Sequence, residues 1–358
     1  MTGVLTPGCN TPGRNMEDGR VRTSVSTEQR ITMVASWYDR QGPAAEVLQV
    51  GELPAPRPSD GEVRVAVSLS GVNPGDTKKR GGWRSSPMTY PRIIPHSDAA
   101  GTIDAVGTGV DDARIGERVW VFGAQSYRPF GTAAQLTVVP DAQAISLPDQ
   151  VSDETGAALG IPGITSHRAV FSDGPVTGKV VLVQGVLGAV GSLAAQLATW
   201  GGATVIGTVL HAPDLAHVDQ SVVPHAVALD QRDPAAAIRQ HAPAGVDRIV
   251  EVALSDNGEL DASVVANDAV IATYFSRSDR IDLPFSPLLF ANVTLRLLGS
   301  DDFSFQAKQQ AAHDLTATAA AGALSVRVGA AFPLTEIAAA HDRVDAGGGG
   351  RVLVRMPD

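Results

Sequence analysis

The 358-residue chain has one cysteine, Cys9. That excludes a disulfide framework and a cysteine-built zinc site in the patterned part of the sequence. No apolar run approaches the roughly 18 residues needed to span a bilayer. A basic excess is also missing, since 28 Lys and Arg stand against 38 Asp and Glu, for a formal net charge of -10. That balance argues against broad attraction to nucleic acid or an anionic membrane. Charged residues make up only 18% and aromatics 5%, whereas hydrophobic residues reach 44%, enough for large buried cores. These absences set the expectation of a soluble, cytoplasmic protein with no membrane partner and no nucleic-acid partner. The length predicts two domains.

What is present begins after a featureless stretch. Residues 1–32 show no hydrophobic period and no signal-peptide core, and Glu17, Asp18 and Glu28 speak against a transit peptide. They read as a disordered N-terminal extension, and Met33 opens the patterned part. From 34 to 147, short β-prone runs such as EVLQVGELP, GEVRVAVSLSGV and GERVWVFG alternate with Pro/Gly clusters. This predicts a compact, partly closed barrel with loops at its rim.

The strongest pattern is 179–209, KVVLVQGVLGAVGSLAAQLATWGGATVIGTV. An apolar run (180–183) predicts a buried strand, followed by a turn with Gly185, Gly188 and Gly191. A helix over 192–200 comes next, stopped by Gly201 and Gly202, and a second strand occupies 204–209. Strand, glycine turn, helix and strand form the βαβ unit that holds a dinucleotide pyrophosphate at a helix N-terminus. A glycine-rich crossover that binds nothing is the alternative. Further strands and helices alternate beyond it, predicting a doubly wound parallel sheet. A long alanine-rich helix is expected over 305–323 and a last strand at RVLVRM.

Six motifs carry a resemblance: SGVNPGDTKKRGG, YPRIIPHSDAAGTIDAVGTGV, GERVWV, GIPGITSHRA, VQGVLGAVGSLAAQLA and HDRVDAGGGGRVLV. In that order the chain resembles the medium-chain dehydrogenase/reductase superfamily, and within it the zinc-independent quinone oxidoreductases related to zeta-crystallin. The resemblance implies an α/β protein with a GroES-like β-barrel catalytic domain (33–153 and 302–358) and a Rossmann NADPH-binding domain (154–301). It also implies an active site between them. Zinc-dependent relatives carry cysteine where this chain has Asn73 and histidine where it has Ser97, both poor zinc ligands here. His96 stands one place early and reads as a hydrogen-bonded loop histidine or a cleft wall. No metal is expected. The implied reaction is hydride transfer from NADPH to a quinone or an α,β-unsaturated carbonyl. Alternatives are a specialised double-bond reductase of a biosynthetic pathway, or a non-catalytic NADPH- or RNA-binding protein on the same fold.

The resemblance also assigns residues. Asn73 and Asp76 fall in the loop that lines nicotinamide and substrate, with turn formation beside Pro74 and Gly75 as the plain alternative for Asp76. Lys78 replaces a tyrosine common in quinone reductases; it would attract an anionic substrate group or donate to an oxyanion, unless it is a solvated member of the KKR run. Tyr127 is a candidate cleft wall or a solvent-facing loop residue. Gly188, Ala189, Val190 and Gly191 match the pyrophosphate turn. Thr165 matches the threonine that holds the carboxamide, or else caps a helix. After the second strand, GTVLHAPD has no acid until Asp214, which favours NADPH over NADH. His211, Gln231 and Arg232 are then the groups available to a 2′-phosphate. Ser255, Phe275, Ser276 and Arg277 match positions beside the cofactor, Arg277 being open to a surface reading. Arg351 either reaches a cofactor phosphate or begins the last strand. A homodimer is expected, with VTLRLLGS at its interface.

Overall fold

The computed structural model describes residues 32–347 and 349–357. The expected disordered extension therefore lies outside the described residues, except Thr32, which is the first residue of a strand. The barrel part opens with β1 (Thr32–Trp37), α1 (Ala44–Val47), β2 (Gln49–Pro54) and β3 (Glu62–Val72). Then come α2 (Pro74–Gly81), β4 (Asp98–Val106), β5 (Arg118–Val121), β6 (Leu136–Pro140) and β7 (Ala144–Ser146). Strand β3 alternates half-buried and buried residues from Glu62 to Leu69, as a sheet with one face on a core requires, while β4 begins and β5 ends in a run of buried residues. Their inward Val63, Val65, Ile103, Val119 and Val121 form one core.

A kinked helical passage follows, with α3 (Asp153–Gly156), a single π turn over Leu159–Gly163 that contains Pro162, and α4 (Ile164–Phe171). The glycine-turn unit is β8 (Val180–Val183), α5 (Ala189–Trp200) and β9 (Thr204–Val209). After it come β10 (His225–Ala228), α6 (Pro234–His241), β11 (Val246–Glu251), α7 (Leu254–Val264) and β12 (Val265–Thr273). The short α8 (Phe285–Phe290) and β13 (Thr294–Leu297) complete a six-stranded sheet in the order β10-β9-β8-β11-β12-β13, every pairing parallel. This is the expected doubly wound sheet. Its central strands β8 and β11 are buried almost throughout because helices cover both faces.

The chain then returns to the barrel. Helix α9 (Phe305–Ala320) leads to β14 (Val328–Pro333), α10 (Ile337–Asp345) and β15 (Arg351–Arg355). β15 pairs antiparallel with β3 and parallel with β14, completing a seven-stranded sheet. The expected division at 301/302 groups α9 with the barrel. Its buried residues Ala311, Ala312 and Leu315 pack in a core that joins Val170, Leu193 and Leu197 of the parallel-sheet side to Leu69, Trp120 and Phe122 of the barrel side. The apolar face of α9 is thus satisfied where the two sides meet, and Trp120 Nε1 of β5 donates to its Thr316 Oγ1 at 3.0 Å.

Candidate active site

A cleft of about 940 Å³ lies between the two sheets. One wall is the end of β3, the start of α2 and residues around Trp83, and the floor is Ile161, Pro162 and Thr165. The opposite wall is the glycine turn, the segment after β12 and residues 297–302.

The resemblance places Asn73 and Asp76 in a loop, and the structure corrects this to the N-cap and first turn of α2. Asn73 is extended (φ -114°, ψ 154°) at the N-cap, Pro74 follows at the first helical position, and Asp76 Oδ2 accepts the Asn73 N–H at 2.8 Å. Proline there loses no intrahelical bond, and Asp76 satisfies one free N–H. Gly82 ends the helix in the left-handed region (φ 69°).

Asn73 is fully engaged. Its Nδ2 donates to Asp98 Oδ2 at 2.8 Å, and its Oδ1 accepts from Arg351 Nη1 at 2.6 Å. Arg351 is buried and also donates to Val72 O, Asp98 Oδ2 and Ala157 O at 2.9, 2.8 and 3.0 Å. The possibility that Arg351 reaches a cofactor phosphate is thus corrected: its guanidinium forks inward, although it begins β15 on the cleft wall. Asp98 Oδ1 accepts the Ile161 N–H at 2.8 Å. Burial pushes the Asp98 carboxyl up, and Arg351, Asn73 and Ile161 draw it back. Burial likewise lowers Arg351. A guanidinium does not give up its proton in a protein, so an ionised pair with every Asp98 oxygen bonded is the consistent state. Side chains at Gly71 and Gly160 would come within 1.9 Å of Arg351 Nη2 and 2.1 Å of Asp98 Oδ1. Both glycines are therefore room for this pair.

Asp76 lines the cleft and is buried, and burial pushes its carboxyl up to about 7 against the pull of Lys79. Its Oδ1 has no hydrogen-bond partner among the described residues. Lys78 also lines the cleft, with Nζ 3.6 Å from the Phe275 ring centroid and 4.9 Å from that of Trp83. Half-burial, and then the charge of Arg84, lowers its pKa. It is not the solvated surface lysine. Tyr127 stands at the rim in a left-handed conformation (φ 56°), and its hydroxyl donates to Asp302 Oδ1 at 2.6 Å. That bond first, and then what burial there is, raise its pKa.

On the opposite wall, Gly188 is the N-cap of α5, and Gly188, Ala189 and Val190 line the cleft. Gly185 takes φ 68°, and a Cβ on Gly191 would meet Gly185 O at 2.3 Å, so turn and helix pack backbone to backbone. Gly191 supports the turn from behind without lining the cleft. No acidic side chain occupies the first turn of α5, leaving a helix N-terminus suited to phosphate. Thr165 is buried in the first turn of α4, lines the cleft, and its hydroxyl has no partner among the described residues.

Phe275 and Ser276 line the cleft. Arg277 does not: it is exposed and pairs with Asp256 at 3.1 Å, beside Ser255, whose hydroxyl donates to the same carboxylate. His211, Gln231 and Arg232 lie away from the cleft lining, in exposed turns after β9 and β10. Here the expectation of an acid-free tip is corrected. Asp230, at the end of the neighbouring strand, accepts the Ala212 N–H and stands 3.3 Å from His211 Nδ1.

Several residues that line or support the cleft are not signalled by the resemblance. Trp83 and Asp98 could have been flagged as an aromatic after a helix stop and an acid beside Ser97. Asp301 bonds Ser126 (2.6 Å) and Lys79 (3.2 Å), and no local signal announces it. His96 is a buried hydrogen-bonded histidine, 2.9 Å from His341. Among the described residues, no group of three or more His, Cys, Asp or Glu is placed to hold a metal ion.

Residues 59–149 match the family described as the alcohol dehydrogenase GroES-like domain. The chain is 29% identical to the quinone oxidoreductase of Homo sapiens, over 91% of this chain and 97% of that protein. A mycobacterial protein solved in complex with NADPH is 25% identical, with a TM-score of 0.77, and the match covers 90% of this chain and 99% of that one. The CurK enoyl reductase has the same fold, with a TM-score of 0.78 at 20% identity over 91% of this chain and 99% of that one.

Proposed function

We propose that this chain, a member of the medium-chain dehydrogenase/reductase superfamily, is an NADPH-dependent, metal-free reductase of quinones or α,β-unsaturated carbonyl compounds. One observation carries the reading. A single cleft is lined on one side by the open N-terminus of α5 and the free Thr165 hydroxyl, and on the other by Asp76 and Lys78.

The dinucleotide fits the residues present. Amides at Ala189 and Val190 would hold its pyrophosphate, and Thr165 Oγ1 its carboxamide. When bound, the reduced nicotinamide supplies a hydride. The protein's own part is to exclude water with Ile161, Pro162, Val252 and Leu298, and to orient a planar acceptor against Phe275 and Trp83. Lys78 Nζ offers positive charge to an oxygen that becomes an oxyanion. Asp76, with its carboxyl near neutrality, holds the proton that completes reduction at Oδ1. A catalytic zinc does not fit this donor set. Asn73 donates to Asp98 and accepts from Arg351, and a buried guanidinium stands where a cation would have to enter.

NADPH is favoured over NADH by the 25%-identical relative bound to it, with His211 and Arg232 as the bases near the β9 tip. Asp230 weighs the other way. Titration of NADPH by its fluorescence, followed by oxidation assays with naphthoquinone and cinnamaldehyde, tests the proposal. Turnover of either acceptor is expected, and no NADPH binding overturns the reading. Tight NADPH binding without turnover would favour a binding protein on this fold.

A homodimer through β13 belongs to the same reading. β13 is an edge strand with Leu295 and Leu297 exposed, and Phe285, Leu289 and Phe290 of α8 are exposed beside it. Such an edge is covered most simply by its own copy. Light scattering on Phe290→Asp should show a monomer where the parent chain is a dimer.

A further inference from the structure

The cations on and just after α2 are not alike. Lys79 pairs with Asp301 at 3.2 Å, Arg80 with Asp345 at 3.0 Å, and Arg84 with Asp279. Lys78 alone among these four has no carboxylate within ion-pair distance and no hydrogen bond among the described residues. Its neighbours are two ring faces, Phe275 and Trp83, whose centroids lie 6.4 Å apart. Arg84 stacks on the Trp83 ring at 3.8 Å, and Asp345, the carboxylate Lys78 feels, is already bonded to Arg80.

Ring faces attract an ammonium through their quadrupoles. They offer no lone pair, so its N–H donors stay unsatisfied while half-burial strips away water. A partly desolvated cation at the mouth of an apolar cleft gains most from a ligand that brings a negative oxygen. The cleft around it is chiefly apolar, with Val72, Ile161, Val252 and Leu298 among its walls. A planar, conjugated body fits these surfaces and a charged oxygen fits Lys78.

We propose that the physiological acceptor is anionic, a quinone or enone carrying a carboxylate or an ionised hydroxyl, and that this oxygen seats on the Lys78 ammonium between Trp83 and Phe275. The inference rests on the reductase reading and names the substrate class of that site. Lys78 is then the specificity-determining residue. Its contact exists before reduction begins, unlike the contact to an oxyanion that develops only as a neutral acceptor is reduced.

The experiment compares naphthoquinone with naphthoquinone carboxylate as acceptors for the full chain with NADPH. The parent protein should favour the carboxylate about tenfold in kcat/KM, mainly through KM, and added salt should weaken the preference. Lys78→Met should lower the carboxylate's kcat/KM about 10- to 100-fold more than the neutral quinone's. Lys78→Arg, which keeps charge and ring stacking, should retain the preference. Equal rates for the two acceptors in the parent protein, or an equal loss on both in Lys78→Met, would overturn the inference while leaving the reductase reading intact. NADPH oxidation with neither acceptor would sink the reductase reading and this inference with it.

Discussion

Replacing Asp76 with asparagine should make the folded protein less sensitive to rising pH. The carboxyl is buried in the first turn of α2, with Oδ2 accepting the Asn73 N–H, and burial pushes it from 3.8 up to about 7. Below 3.8 the group is neutral in the folded and the unfolded chain, and ionisation costs nothing. Between 3.8 and about 7 the unfolded chain releases its proton while the folded chain keeps it, so stability falls as pH rises, by about 1.4 kcal/mol per pH unit. Above about 7 the whole penalty, about 4 kcal/mol, is present. Asparagine keeps an oxygen for the Asn73 N–H and cannot ionise. In urea unfolding, the stability of Asp76→Asn relative to the parent should therefore climb by about 4 kcal/mol between about pH 4 and about pH 8. Asp76→Ala, which also loses the acceptor, should run parallel to it but lower by about 1 kcal/mol. A parent-to-variant difference that stays flat across that range would refute the argument. It would mean that Lys79 and the Asn73 amide hold the carboxylate ionised throughout.

Three other outcomes follow from the same geometry. Arg351→Met strands the buried Asp98 carboxylate and should cost about 3–5 kcal/mol in chemical denaturation, and Arg351→Lys should not rescue it because an ammonium cannot span the same four acceptors. Thr165→Val removes the free hydroxyl facing the cleft and should weaken NADPH binding about five- to tenfold by fluorescence titration, with unchanged stability. Asp230→Asn removes the carboxylate beside His211 and Ala212 and should raise the ratio of NADPH to NADH affinity about tenfold; an unmoved ratio would place the adenosine ribose elsewhere.

The parallel sheet was legible because its strands announce themselves locally. VVLV is an apolar run and TVIGTV and VDRIVE are short runs rich in Val, Ile and Thr, and no long-range fact is needed to read them. The glycine turn was legible for the same reason. Asp230 was missed because it reaches the β9 tip from the next strand, through a pairing that the order of residues does not display. The inward fork of Arg351 was missed because its partners Asn73 and Asp98 lie more than 250 positions away. The packing of α9 could not be read from an alanine-rich segment, since alanine suits any helix face and names no neighbour.

Helix α2 was misread for a more specific reason. An amphipathic helix shows an apolar stripe, and PGDTKKRG has none; its buried residues are Asp76, Thr77 and Arg80. What holds it is polar. Arg80 donates to Gly42 O, Asp345 and His341 Nδ1, and that last bond fixes a direction. Arginine has no acceptor, so His341 Nδ1 must be bare and His341 Nε2 must carry the proton donated to His96 Nε2, 2.9 Å away. His96 Nδ1 then donates to Ser70 Oγ, and Ser70 to Thr132 Oγ1. Thr132 closes the series on the carbonyl of Asp98, which can only accept. Every link is oriented by its two ends, and both imidazoles must be neutral. Burial, with help from a neighbouring charge, agrees: it holds His341 down to about 3 and His96 well below its ordinary value. The helix that carries Asp76 and Lys78 is thus tied, through one directed series of hydrogen bonds, to the strand that carries Asp98. Its capping residue Asn73 closes the circuit on the Asp98 side chain.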